Sequence, residues 1–226
     1  MKSICILGDS VVKGVVFDEE KGRYVFSRNS FDKLLSEKTG AVIKNWAKFG
    51  CTIEKGIEIL KKKKELISNY DICLIEFGGN DCDLNWQEIS KNPHKEHLAN
   101  VPLERFKKEY IEVIEEVEET GSHPVLMTLP PLDSKRFFNW IAKGLSKENI
   151  MTYLNMDVES IYRWHKNYNR VVKEIAMEEN LPVLDINEAF SNLGDYSSYL
   201  CLDGMHPNEK GHRLIAEFCN SKLKLN

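Results

Sequence analysis

Lys2-Ser3-Ile4-Cys5-Ile6-Leu7-Gly8-Asp9-Ser10 is the stretch from which the fold is read. An apolar run, Ile4 to Leu7, breaks at once into glycine, aspartate and serine. Such a run is too short for a helix and shows no alternation of apolar and polar residues. It reads as a strand buried on both faces, as in a parallel sheet covered by helices. It is also too short for the apolar core of a secretion signal, and no cleavage-site pattern follows it.

Four more segments share its character: 41–45, 72–77, 125–129 and 183–186. Between them lie helical patterns. Residues 53–67 put Ile53, Ile57, Leu60 and Ile67 on one side, and residues 104–119 put Phe106, Tyr110, Val113, Ile114 and Val117 on another apolar face. Residues 159–179 and 208–223 complete the series, with Leu214, Ile215 and Phe218 spaced for packing in the last. Strands alternating with helices predict one parallel sheet with helices on both faces. Two connections are long, 82–103 and 130–158, and each follows the carboxyl end of a strand, where ligands bind in open α/β sheets. The second leads into an aromatic-rich region with Phe137, Phe138, Trp140, Tyr153, Tyr162 and Trp164. Those rings fit a packed helical insertion, and also a lid or an acyl- or sugar-binding wall.

The bulk numbers narrow the partners. The chain has 226 residues, 42% hydrophobic and 29% charged, with a formal net charge of −4. That is the composition of a globular chain long enough for one domain with a sizeable core. It carries no basic footprint for nucleic acid, and the lysines 61–64 read as a solvated helix face. No apolar run reaches the roughly 20 residues that span a bilayer. No membrane insertion and a cytoplasmic address are expected. The six cysteines include no C-x-x-C pair and read as free thiols, without metal-ligand spacing.

Four turns at the expected carboxyl edge carry chemistry. Gly8-Asp9-Ser10 follows the first strand; alone it reads first as a helix N-cap. It holds neither phosphate-binding glycine pattern. Gly50, after the second strand, offers a bare backbone N–H. Gly78-Gly79-Asn80-Asp81 ends the third strand, and the Asn80 amide is a neutral donor suited to an oxyanion. In Asp203-Gly204-Met205-His206 a carboxylate stands three residues before a histidine, where it can hold Nδ1 and leave Nε2 free as a base. Asp9 and Asp81 read as supports for their own turns. His212 reads as packed or solvated, and His94, His97, His123 and His165 have no partner motif.

In combination and order these blocks resemble the SGNH/GDSL hydrolase superfamily, over essentially the whole chain. The first block usually continues with leucine, where Val11 stands here; both are apolar and neither does chemistry. The resemblance implies a three-layer α/β/α flavodoxin-like fold with a five-stranded parallel sheet. It implies a single domain over residues 1–226, with the segments 82–103 and 130–158 shaping the pocket. It further implies Ser10 as nucleophile, His206 as base and Asp203 as its orienter. The oxyanion hole would comprise the Ser10 and Gly50 N–H groups and the Asn80 side chain. The expected reaction is hydrolysis of a small carboxylic ester, such as an acylated metabolite or sugar, without metal or organic cofactor. The competing reading is a non-catalytic flavodoxin-like module that binds a nucleotide or a partner.

Overall fold

The computed structural model describes residues 2–223. The chain begins with β1 (Ser3–Gly8), a single-turn helix α1 (Ser10–Lys13), a hairpin of β2 (Val15–Asp18) and β3 (Arg23–Phe26), α2 (Phe31–Thr39) and β4 (Val42–Asn45). It continues through α3 (Ile53–Ile67), β5 (Ile72–Glu76), α4 (Trp86–Lys91), α5 (Leu103–Glu118) and β6 (His123–Met127). The last part holds α6 (Ser134–Ile141), α7 (Lys147–Tyr153), α8 (Ser160–Glu178), β7 (Val183–Leu184), α9 (Ile186–Ser191) and α10 (Glu209–Leu223).

The five expected strands form one sheet in the order β4-β1-β5-β6-β7, and every pairing is parallel. The apolar runs arise because both faces are covered. In β1, Cys5 and Leu7 point into a core shared with α3, α5 and α8, while Ile4 and Ile6 point into one shared with α2, α9 and α10. In β5, Cys73 and Ile75 belong to the first core and Ile72 and Leu74 to the second. Strand order reverses between β1 and β5, and the crevice at such a reversal is where open α/β sheets bind ligands.

The structure adds elements that periodicity did not reveal. The expected last strand stops two residues early, because the Asp185 side chain accepts the Glu188 N–H at 3.1 Å and turns the chain into α9. The segment 82–103 carries α4, and 130–158 carries α6 and α7. Both segments wrap around a third, smaller cluster that includes Trp86, Ile89, Leu132, Phe137, Ile150 and Leu154. Each of these helices is short, so its apolar stripe spans only one or two turns. The β2–β3 hairpin pairs Val15 with Phe26 and Phe17 with Tyr24 in antiparallel register.

Helix α3 lies directly on the end of β5. A Cβ at Gly56 would stand 2.3 Å from Phe77 Cζ. Gly56→Ala therefore forces a buried ring or the helix to move, and should cost about 1–3 kcal/mol. Thermal unfolding measures it, and an unchanged Tm would show that the helix does not sit this close.

Candidate active site

The end of β1 sets the first side chain. Asp9 leaves the strand in extended backbone, and its Oδ1 accepts the Val11 N–H at 2.8 Å, capping α1. Ser10 is thereby the first residue of a helix, and its own N–H has no intrahelical acceptor. The N-cap and nucleophile readings of this turn are compatible: Asp9 caps, and Ser10 stands free.

The loop before α10 supplies two more groups. Asp203 Oδ1 accepts the N–H groups of Met205 at 2.9 Å and His206 at 3.0 Å, which folds the four residues into a tight turn. The Cys201 N–H donates to the His206 carbonyl at 2.8 Å and closes the loop on itself. The other Asp203 oxygen, Oδ2, lies 2.6 Å from His206 Nδ1, and His206 Nε2 lies 2.8 Å from Ser10 Oγ. Thus the structure brings Ser10, His206 and Asp203 into one hydrogen-bonded row, across 196 residues of sequence. Burial opposes charge on Asp203, but bonds from His206 and the two backbone N–H groups outweigh it and hold its carboxyl below the usual range.

Asn80 is tied to the serine turn. Asn80 Nδ2 donates to Asp9 Oδ2 at 3.1 Å, and the Asn80 backbone carbonyl accepts from Asn100 Nδ2 at 2.9 Å. One amide proton is thus committed to Asp9 and the second is left for another acceptor. Gly50 adopts φ +67°, a left-handed backbone that admits a glycine without strain.

Tyr24 is one of the residues that sequence reasoning missed. Its hydroxyl donates to Asp203 Oδ2 at 3.0 Å, the same oxygen that faces His206. Its ring centroid is 5.1 Å from that of His206, and Phe49 lies 6.2 Å from the imidazole with nearly parallel planes. Phe17 and Trp140 pack edge-on at 4.7 Å, and the Lys143 ammonium sits 3.4 Å above the Trp140 ring. The hairpin therefore roofs the row, leaving His206 1% and Ser10 5% exposed. The signal was present: two runs rich in β-branched and aromatic residues, 15–17 and 24–26, flank a polar turn with Gly22.

Beside Ser10 and Asn80 is a cavity of about 20 Å³, walled by Leu129, Pro131, Leu132 and Met205. His165, which has no partner motif in sequence, also lines it; burial pulls its imidazole down to about 4, so it is neutral near pH 7. A separate cavity of about 300 Å³ lies between the two long segments, lined by Leu84, Trp86, Tyr153, Leu154, Ile161 and Trp164. A wider hollow of about 650 Å³ along α10, lined by Glu209, Lys210 and Arg213, contains none of the residues in the row. Among the described residues no three His, Cys, Asp or Glu are grouped to hold a metal ion, and no helix is long and apolar enough to cross a membrane. The six cysteines are unpaired and buried.

A five-stranded parallel sheet in this order, with a serine, a histidine and an aspartate joined at its carboxyl edge, defines a class of hydrolases. The family model for GDSL-like Lipase/Acylhydrolase matches residues 4–218, and the chain belongs to that family, which indicates an ester-hydrolysing enzyme. It is 26% identical over 231 residues to the uncharacterized protein YpmR of Bacillus subtilis, covering 98% of this chain and 81% of that one. It is 22% identical over 216 residues to the spore germination lipase LipC of Bacillus licheniformis, covering 93% and 91%. Among solved structures, a lipase/acylhydrolase from Enterococcus faecalis aligns with a TM-score of 0.72 at 23% identity, covering 99% of this chain and 96% of that one. A catalytic mutant of Axe2, an acetylxylan esterase from Geobacillus stearothermophilus, aligns with a TM-score of 0.63 at 20% identity, covering 98% and 94%.

Asp81 does more than support its own turn. Its Oδ1 accepts the Ile53 N–H at 2.7 Å and so caps α3 from the neighbouring strand end. Burial raises its carboxyl to about 7 against that bond, and the charge of Asp9 adds to the rise. A carboxyl with a raised folded value contributes stability below about pH 4, which is lost as pH climbs through 7. The shift is worth about 4 kcal/mol at most. Asp81→Asn keeps an accepting oxygen and removes the titration. The Tm of this variant relative to the parent should therefore rise between pH 5 and pH 8. A difference that is flat with pH would contradict the raised value.

Proposed function

We propose that the protein is a serine esterase that releases a short acyl group through an acyl-enzyme on Ser10. The observation that carries this reading is the row Ser10 Oγ–His206 Nε2 at 2.8 Å and His206 Nδ1–Asp203 Oδ2 at 2.6 Å. In the first half-reaction Ser10 Oγ attacks the ester carbonyl carbon and its proton passes to His206 Nε2. The carbonyl π electrons move to oxygen, which the Ser10 and Gly50 N–H groups and the free Asn80 amide proton receive. The tetrahedral centre then expels the alkoxide oxygen, which takes the proton from Nε2. In the second half-reaction water gives a proton to His206 and attacks the acyl carbon. Ser10 leaves, is reprotonated, and the carboxylic acid departs. Asp203 keeps the imidazole in the tautomer with a proton on Nδ1, and Tyr24 holds the carboxylate in place.

The acyl group is short in this reading because the space next to Ser10 is about 20 Å³, and aliphatic residues and prolines wall it. Acylated sugars or small acylated metabolites supply such esters, and the chain works as a single domain whose two long segments shape the approach to the pocket. Six unpaired thiols fit a reducing, cytoplasmic setting. A non-catalytic nucleotide- or partner-binding module has no need for a nucleophile, base and carboxylate in hydrogen-bond register.

A fluorophosphonate should label Ser10, and Ser10→Ala should hydrolyse p-nitrophenyl acetate at a rate lower by a factor of about 10³ or more. Equal rates for the variant and the parent would remove the enzyme reading. Across p-nitrophenyl esters of increasing length, kcat/KM should fall beyond the shortest acyl groups. A maximum at long chains would reject the short-acyl assignment. Tyr24→Phe takes one hydrogen bond from a buried carboxylate and should lower kcat roughly tenfold with KM little changed. Full activity in steady-state assays would limit the hairpin to covering the site.

A further inference from the structure

Beneath the Ser10 turn three carboxyl groups are withdrawn from solvent: Asp9 is 1% exposed, and Glu76 and Asp81 are 0% exposed. None of the ion pairs among the described residues involves any of them. Glu76 ends β5, and its register partner on β1 is Gly8, the residue before Asp9. The Asp9 N–H reaches Glu76 Oε2 at 3.4 Å, which sets the Glu76 carboxyl beside the Asp9 residue. Two carboxyl groups on adjoining residues of a dry site do not both ionise, so the pair keeps one proton.

The surrounding donors decide where that proton rests. Asp9 receives two N–H bonds, from Val11 on Oδ1 and from Asn80 on Oδ2. Glu76 receives only the long contact from the Asp9 backbone, and its Oε1 has no partner. Charge settles on the better-solvated carboxylate, Asp9, and Glu76 keeps the proton. The other groups facing the pair agree. Asp81, from the turn after β5, adds negative charge beside Glu76, and both carboxyls of the pair are raised, Glu76 well above the usual carboxylate range, by burial first. Tyr110 from α5, and Cys51 and Cys82 from the flanking turns, are pushed up by burial and stay neutral. His206, on the far side of the serine turn, favours an ionised Asp9 when it carries a proton on both nitrogens.

We propose that Glu76 is a positioning residue for the oxyanion donor Asn80: its carboxylic O–H holds Asp9, and Asp9 holds the Asn80 amide. This rests on the serine-esterase reading. The bond from Asn80 to Asp9 fixes the amide plane and leaves its second proton for the substrate oxygen. The shared proton also draws Asp9's charge toward Glu76, away from the place where the oxyanion forms. Without an acid at position 76, Asp9 becomes a lone buried anion beside a developing negative charge, or takes a proton itself and loosens its hold on Asn80. Either change falls on the transition state rather than on substrate binding.

The test compares Glu76→Leu and Glu76→Gln with the parent, using p-nitrophenyl acetate. Leucine should lower kcat about 10- to 100-fold with KM within about threefold, since a misplaced oxyanion donor acts on kcat. Glutamine can donate from Nε2 to Asp9 and should recover most of the loss. The infrared spectrum of the parent minus that of Glu76→Gln, at pH 7, should show the carbonyl band of a protonated carboxylic acid. The proposal is overturned by the absence of that band, by parental kcat in Glu76→Leu, or by glutamine being as damaging as leucine. If circular dichroism shows Glu76→Leu unfolded, the infrared band and the kcat of Glu76→Gln decide alone. Fluorophosphonate labelling of the parent keeps the two readings apart. An unlabelled Ser10 removes the esterase, while the infrared band reports on Glu76 regardless.

Discussion

Two neighbouring parallel strands, β1 and β5, end on the same edge, where the buried carboxyl that ends β5 accepts the backbone N–H of the buried aspartate that follows β1. Parallel pairing makes this unavoidable, since strands that run the same way deliver their turns to the same side. Asp9, capping α1 after β1, orients Ser10. Asp9 also receives the amide of Asn80 from the turn after β5. The serine and the amide are thus held by one carboxylate rather than by two independent loops. That carboxylate is tolerable in a dry interior only because N–H groups and an acid surround it.

The remaining groups arrive from far along the chain. The loop 203–206 is rigid for local reasons, as one aspartate oxygen takes up two backbone N–H groups and leaves the other for the imidazole. Its position over Ser10 is set elsewhere. The Asp133 N–H donates to the Gly204 carbonyl at 2.8 Å, and the Phe17 N–H reaches Cys201 Sγ at 3.4 Å. The 130–158 segment and the hairpin therefore grip the same loop. With Tyr24 on the free side of Asp203, the carboxylate is satisfied on every face, and the aromatic roof lowers the local dielectric around the row.

The matched family model spans residues 4–218, the sheet, the four turns and the two long segments alike. The cavities are walled by residues of α4, α7, α8 and the 130–133 loop, and the smaller one also by the turns at Ser10 and Asn80. Turns of the sheet edge and the segments packed around them thus meet at the cavity beside Ser10.

Much was legible in the sequence. All five strands of the sheet and the long helices α3, α5, α8 and α10 stand within two residues of the expected positions, because burial on both faces leaves an apolar run and a helix on a sheet leaves a stripe. Ser10, Asn80, Asp203 and His206 were legible as candidates because local turns, caps and spacing give each a recognisable neighbourhood. Tyr24, Glu76 and His165 were not. Their surroundings come from residues far away in sequence: Asp203 for Tyr24, Asp9 for Glu76, and Ser10 with Leu132 for His165. The short helices α4, α6, α7 and α9 also escaped, since one or two turns carry little periodicity. Local chemistry was written in the chain, whereas the proton shared by two carboxyls, the roof over the imidazole and the size of the pocket exist only once the strands are side by side.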